Sequence, residues 1–277
     1  MRIALVVRRN AKKKMKQKLD FENNQQLMNY FVDNSVLPRY IYKYADLESL
    51  KLILENSTLK FSKPSEFNDP FDCNITIDTN NTKEEIDEYI EILRENHIVT
   101  DDYVKVFYNP KQLFESLNKT VKDSKEFLGV SCFSKYFNNI LMWAHYSEKH
   151  RGVCLKFDLL ADPDCFMTPF IVKYNDKYPT YNYIRNQEGL AKFLLETKSI
   201  DWKYENEIRV MKKGSGFYPF RKDSLVEIIF GAKTLESDEV DIKNVILRLG
   251  YTKTNFVTAK LNGTDFKLDF EKKNTNA

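Results

Sequence analysis

The chain is poor in the residues that build nucleotide-phosphate loops: only 8 of its 277 residues are glycine and 8 are proline. Few positions can therefore adopt the positive φ that glycine-cradled phosphates need. No G-x-x-x-x-G-K-[ST], G-x-G-x-x-G, H-E-x-x-H or G-x-S-x-G is present, which removes the P-loop, dinucleotide-fingerprint, zincin and hydrolase-elbow readings. There is no CxxC, and the four cysteines (Cys73, Cys132, Cys154, Cys165) are scattered through apolar or strand-like stretches, so they read as reduced thiols. Histidine is scarce too: His97, His145 and His150 are the full set, a poor basis for a metal centre. No run of about 18–20 apolar residues is found, and no secretory leader, because the apolar stretch at Ile3–Val7 precedes its basic cluster. These absences point to a cytoplasmic protein with no membrane span.

What is abundant is aromatic and charged. With 42% hydrophobic, 14% aromatic and 30% charged residues, the chain has enough apolar matter for a core beneath a solvated surface, which excludes disorder. The formal charge of +3 hides an asymmetry. Residues 1–20 carry eight basic side chains against Asp20 alone, so the remainder is net acidic. A nucleic-acid or protein target is thus expected only through this basic leader 1–20, and the body is not a duplex binder by charge.

Periodicity predicts a helical leader over 1–38 and one α+β domain over 39–277, with a helical insertion at 83–126. Short aliphatic and aromatic strands are predicted at 39–44, 58–62, 127–134, 152–157, 170–174, 205–211, 224–230, 255–260 and 266–268. Helices are predicted at 47–55, 140–147, 189–197 and 237–249. Strands seldom alternate regularly with helices, so the expected sheet is mixed and mostly antiparallel.

Three constellations could carry chemistry. Phe67-Asn68-Asp69-Pro70-Phe71-Asp72 is a constrained turn that would present Asn68, Asp69 or Asp72 to a ligand, with the phenylalanines on either side pinning it to the core. Leu141-Met-Trp143-Ala-His145-Tyr146, followed by His150, puts two of the three histidines beside an aromatic cluster, with His145 as a candidate acid or base. In Trp202-Lys-Tyr-Glu205-Asn-Glu207-Ile-Arg209, a strand would stand Glu205, Glu207 and Arg209 on one face, as an ion-pair ladder or an acidic cleft.

Together with Tyr42-Lys43-Tyr44, Leu59–Ser62 and Val130–Ser134, these motifs resemble a bacterial family, domain of unknown function 2971, over roughly residues 40–250. More distantly, the layout is similar to ADP-ribosyltransferases, whose split mixed sheet cleaves NAD without a glycine fingerprint. That resemblance implies NAD as substrate, no metal, and the setting of a toxin or antiviral defence effector. It implies catalytic Glu207 with Glu205 upstream, Lys43 against pyrophosphate, Ser131 or Ser134 on the middle strand, and Tyr44 or Trp143 against nicotinamide, while Asn68, Asp69, Tyr146 and Arg209 complete the binding set. Two alternatives stand beside it. One is a metal-dependent nuclease or hydrolase using His145. The other is a non-catalytic ligand-recognition module built on the aromatic loop and the Trp143–His150 segment.

Overall fold

The computed structural model describes residues 21–96, 100–186 and 189–273. The basic run 1–20 lies outside them. In chain order the elements are α1 (Asn24–Asp33), β1 (Tyr40–Ala45), α2 (Leu47–Asn56), β2 (Thr58–Phe61), β3 (Thr76–Asp78), α3 (Lys83–Glu95), α4 (Asp101–Phe107) and α5 (Pro110–Phe127). Next come β4 (Leu128–Ser134), α6 (Ile140–Tyr146), β5 (Val153–Asp158), α7 (Pro163–Phe166), β6 (Pro169–Ile171), β7 (Lys173–Asn175), β8 (Thr180–Asn182), α8 (Leu190–Leu195) and β9 (Thr197–Ser199). The chain closes with β10 (Glu207–Lys213), β11 (Gly216–Pro219), β12 (Leu225–Phe230), α9 (Glu236–Leu249), β13 (Asn255–Leu261) and β14 (Leu268–Lys273). This is the expected α+β class with a mostly antiparallel mixed sheet.

Two compact units divide the chain, one formed by 63–128 with 172–200 and the other by the described parts of 21–62, 129–171 and 201–277. In the first, local signals fix the helices. Thr82 and Glu85 form a reciprocal capping box on α3, and Asn109 caps α5 just before Pro110. Their apolar faces, including Ile86, Ile90, Leu93, Leu113 and Leu117, close a small core around Tyr89 and Phe107. Two parallel pairs, β3 with β8 and β7 with β9, complete this unit.

The second unit is built on an eight-stranded sheet of order β14-β13-β12-β5-β1-β4-β10-β6. The β14–β13, β12–β5, β5–β1, β1–β4 and β10–β6 pairs are antiparallel, and the β12–β13 pair is parallel with α9 between the two strands in the chain. The pleat sorts β1: Ile41 and Ala45 enter the main core with Leu155 and Phe157, while Tyr42 and Tyr44 join a second cluster with Trp143 and Cys154 on the other face. Met28 of α1 is fully buried in the main core, so this part of the leader segment packs as a structural helix. The stretch expected as one strand at 170–174 is two strands, β6 pairing with β10 and β7 with β9.

Candidate functional site on the β1–β4–β10 strands

The strands β1, β4 and β10 are consecutive in the sheet, and they hold half of the candidate residues: Lys43, Tyr44, Ser131, Ser134, Glu207 and Arg209. Lys43 follows the parity of Ile41 and Ala45, so it points to the main-core face. Its Nζ donates to Ser131 Oγ at 3.1 Å and to the Cys132 carbonyl at 3.2 Å, and lies 5.1 Å from the centre of the Phe133 ring. Burial pushes its pKa down; the Glu207 carboxylate opposes that shift without reversing it.

On β10, Ile208 and Val210 belong to the main core, so Glu207 and Arg209 face the opposite side. There Arg209, fully buried, donates from Nε to Glu207 Oε1 and from Nη2 to Oε2, each at 2.9 Å. This bidentate fork is the strongest geometry available to a guanidinium and a carboxylate. The Cys132 thiol is hydrogen-bonded to Glu207 on the same side; burial first, then the carboxylate, hold that thiol well above its ordinary pKa, so it is no nucleophile. Thus the pleat turns Lys43 with Ser131 and Glu207 with Arg209 to opposite faces of one sheet.

Glu205 departs from the expected three-residue row. It ends a 3-10 turn at Ile200–Glu205, and Asn206 has φ 46°, so the strand begins only at Glu207. Asparagine is among the few residues that tolerate this left-handed conformation. The buried Glu205 carboxylate instead accepts a 2.6 Å hydrogen bond from Tyr146, and its carbonyl accepts one of 2.6 Å from the buried Ser134 hydroxyl.

Helix α6 brings the aromatic motif to this face. Asn139 caps it through the amides of Leu141 and Met142, and its amide nitrogen donates to the Tyr204 carbonyl, tying the helix to the 200–206 segment. Trp143 is fully buried, donates Nε1–H to Phe137 O at 2.7 Å and meets Tyr44 edge-on at 5.3 Å. The Tyr44 hydroxyl donates to Tyr136 O, and burial raises its pKa. Neither ring is positioned as an open stacking platform. His145 is exposed at the helix end, with Nδ1 3.0 Å from Tyr204 Oη.

His150 follows a rare backbone run. Glu148, Lys149 and His150 have φ of 45°, 55° and 72°, three consecutive non-glycine residues in left-handed space. Each costs on the order of 1 kcal/mol. The run is held because Lys233 N donates to His150 O at 2.9 Å and Gly231 packs so closely that a Cβ there would sit 2.2 Å from that oxygen. The His150 ring stacks on Trp143 at 6.4 Å and 14°. Burial, then the Lys233 charge, lower its pKa, which favours the neutral imidazole.

The loop candidates lie in the first unit. Asp69 is buried and its Oδ1 accepts from Phe71 N at 2.9 Å, so it closes an Asx turn. Asn68 is exposed. Phe71, expected as a pin into the core, is 66% exposed. The loop is anchored by its acids instead: Asp72 Oδ1 accepts from Cys73 N at 2.7 Å, and Oδ2 lies 3.7 Å from the buried Lys198 ammonium.

Sequence reasoning missed Cys132, Asn139, Tyr204 and Lys198 as members of these networks. Tyr204 was within reach, since it stands inside the motif already singled out, whereas the Asp72–Lys198 pair spans a sequence gap that no local pattern bridges. All four cysteines are free thiols. Among the described residues no group of three or more His, Cys, Asp or Glu side chains is arranged to hold a metal ion, and no helix is long and apolar enough to cross a membrane.

No curated protein and no solved structure matches the chain. One family model does: "Protein of unknown function (DUF2971)" matches residues 142–210, from the Trp-Ala-His-Tyr helix to the Glu207–Arg209 fork. That segment, which holds most of α6 and the start of β10, is therefore similar to the family that the motifs resemble.

Proposed function

We propose that the chain is a ligand-recognition module whose binding segment is α6 with the left-handed turn to His150. The observation that carries this reading is the sidedness of the sheet. A centre that cleaves NAD needs its pyrophosphate-binding cation and its cation-stabilising carboxylate in one cleft. Lys43 and Glu207 face opposite ways, and Glu207 already has both carboxylate oxygens on Arg209. A recognition surface needs no such convergence. It needs a rigid scaffold, which the Asn139 cap, the Trp143 anchor and the clamp on His150 supply.

A second reading, an ADP-ribosyltransferase-like NAD-consuming enzyme, is favoured by one feature: Glu205 and Glu207 are both buried, with Tyr146 and Arg209 donating to them, a polar cluster that could be remodelled around a ribose. Incubation of the purified chain with NAD and cell extract separates the two. Recognition alone predicts no release of nicotinamide from wild type. Release that is lost on Glu207→Gln, with the variant folded by circular dichroism, would establish the enzyme and overturn the recognition reading.

A further inference from the structure

Beside the His150 turn the second unit has a cavity of about 400 Å³, lined by Ile140, His150 and the whole β13–β14 connection from Leu261 to Leu268. Its walls are unequal in chemistry. The polar groups of the connection are engaged with one another: Asn262 Oδ1 accepts from the amides of Thr264 and Asp265, Asn262 Nδ2 donates to Asp269, and Lys267 pairs with Asp265 at 2.8 Å. Phe266, by contrast, is fully exposed, and Leu261 and Ile140 are exposed beside it. Large apolar side chains gathered at a cavity mouth mark a binding surface more than a solvated loop.

The remaining polar wall is His150. Its Nδ1 is sealed from solvent and has no hydrogen-bond partner. A sealed N–H without an acceptor is costlier than a sealed lone pair without a donor, so the neutral ring keeps Nδ1 bare and carries its proton on Nε2. The ring stacks on Trp143, above a backbone clamped by Lys233 and Gly231. The cavity therefore combines an exposed ring, aliphatic walls and one neutral imidazole.

We propose that this cavity binds a flat, uncharged heteroaromatic ring of nucleobase size, sandwiched against Phe266 and accepting a hydrogen bond from His150 Nε2–H. The assignment rests on the recognition reading above and names its ligand class. Flat rings fit the volume and the exposed phenyl face, and a ring acceptor answers the single donor. An anion is disfavoured because Lys267, the cation in the wall, is already paired with Asp265.

Adenosine is the probe, with toluene as the flat control that lacks an acceptor, followed by titration calorimetry and amide chemical shifts. Adenosine is expected to bind at least tenfold more tightly than toluene and to shift residues 140–150 and 261–268. Phe266→Ala, a change at a fully exposed position, is expected to weaken adenosine at least fivefold. His150→Asn, which tolerates the left-handed backbone, is expected to weaken it at least tenfold while leaving toluene unchanged. A decameric oligoadenylate binding more tightly than adenosine assigns the ring to a nucleic-acid strand, and equal or weaker binding assigns it to a free nucleoside; both support a base in the cavity. Millimolar adenosine that shifts no resonance, or Phe266→Ala binding as wild type does, overturns the ligand class. Were a fragment screen to find only non-aromatic binders shifting 140–150, the ligand class alone would fall. NAD turnover abolished by Glu207→Gln overturns the recognition reading without touching adenosine binding.

Discussion

Lys43 and Arg209 are both cations inside one eight-stranded sheet, and the two faces of that sheet hold them in opposite ways. On the main-core face Lys43 meets only neutral acceptors, Ser131 Oγ and the Cys132 carbonyl, and burial weakens its hold on the proton. On the other face Arg209 is locked to a full carboxylate by two parallel hydrogen bonds. A lysine can relieve burial by losing its charge, because its pKa moves readily; a guanidinium cannot, so it must be paired. His150 belongs with Lys43 in this respect, a half-buried base whose pKa burial pushes down, and the Glu207–Arg209 fork has a looser analogue in the first unit, where Asp72 and Lys198 lie 3.7 Å apart.

The largest effect that could break this contrast is at the fork. Glu207→Ala or Arg209→Ala removes one side of the buried fork, and each is expected to cost about 3–5 kcal/mol, read as a fall in the urea midpoint. Replacing both residues by methionine should recover most of that loss, since a buried pair is often no more stabilising than apolar residues of its size. If either single variant costs under about 1 kcal/mol, the fork is not a closed pair.

Tyr146→Phe comes next. It removes the 2.6 Å donor to Glu205 and nothing else of volume, so a loss of about 1–3 kcal/mol is expected in the same assay. A loss under about 0.5 kcal/mol would mean that this hydrogen bond contributes nothing net to the fold.

His150 tests the neutral-base half of the contrast through pH. Its folded pKa is lowered below the ordinary 6.5, so below about that pH the unfolded chain binds a proton that the folded chain resists. Stability contributed by this group is therefore full above 6.5 and falls as the pH drops toward the folded value, with a slope of at most about 1.4 kcal/mol per pH unit for one group. Denaturation of wild type and His150→Asn between pH 7 and 5 should show the variant with the shallower decline. Parallel profiles would sink the assignment.

Local chemistry made much of this fold legible. The helix expected from 47 starts there behind its Asp46 cap, and the β-branched, aromatic runs at 153–157 and 225–230 became central strands. What failed depended on single backbone angles or on partners far along the chain. Glu205 left its row because Asn206 takes φ 46°, a choice no period-2 pattern reveals. The run at 170–174 divided because its halves pair with different strands. The loop at 67–72 was recognisable as a rigid turn, yet Phe71 misled, because Asp72 finds a buried lysine 126 positions away while Phe71 remains in solvent. The sidedness of the candidate site was the deepest miss. Each strand's own alternation was readable, but whether Lys43 and Glu207 share a face depends on how three strands register against one another.

The smallest expected effect carries the most weight for function. Lys43→Met keeps the aliphatic stem against Phe133 and removes an ammonium whose acceptors are a hydroxyl and a carbonyl. The hydroxyl of Ser131 can turn to another acceptor, and no carboxylate is left without its counter-ion, because Glu207 has Arg209. Stability should therefore change by no more than about 1 kcal/mol in either direction. The outcome to watch for is a loss of 3 kcal/mol or more, the signature of a buried ion pair broken on one side. That would mean Lys43 is held charged by Glu207 through the sheet, and that the two residues form one electrostatic unit despite their opposite faces. The case against a shared NAD-cleaving centre would then fail at the point on which it rests.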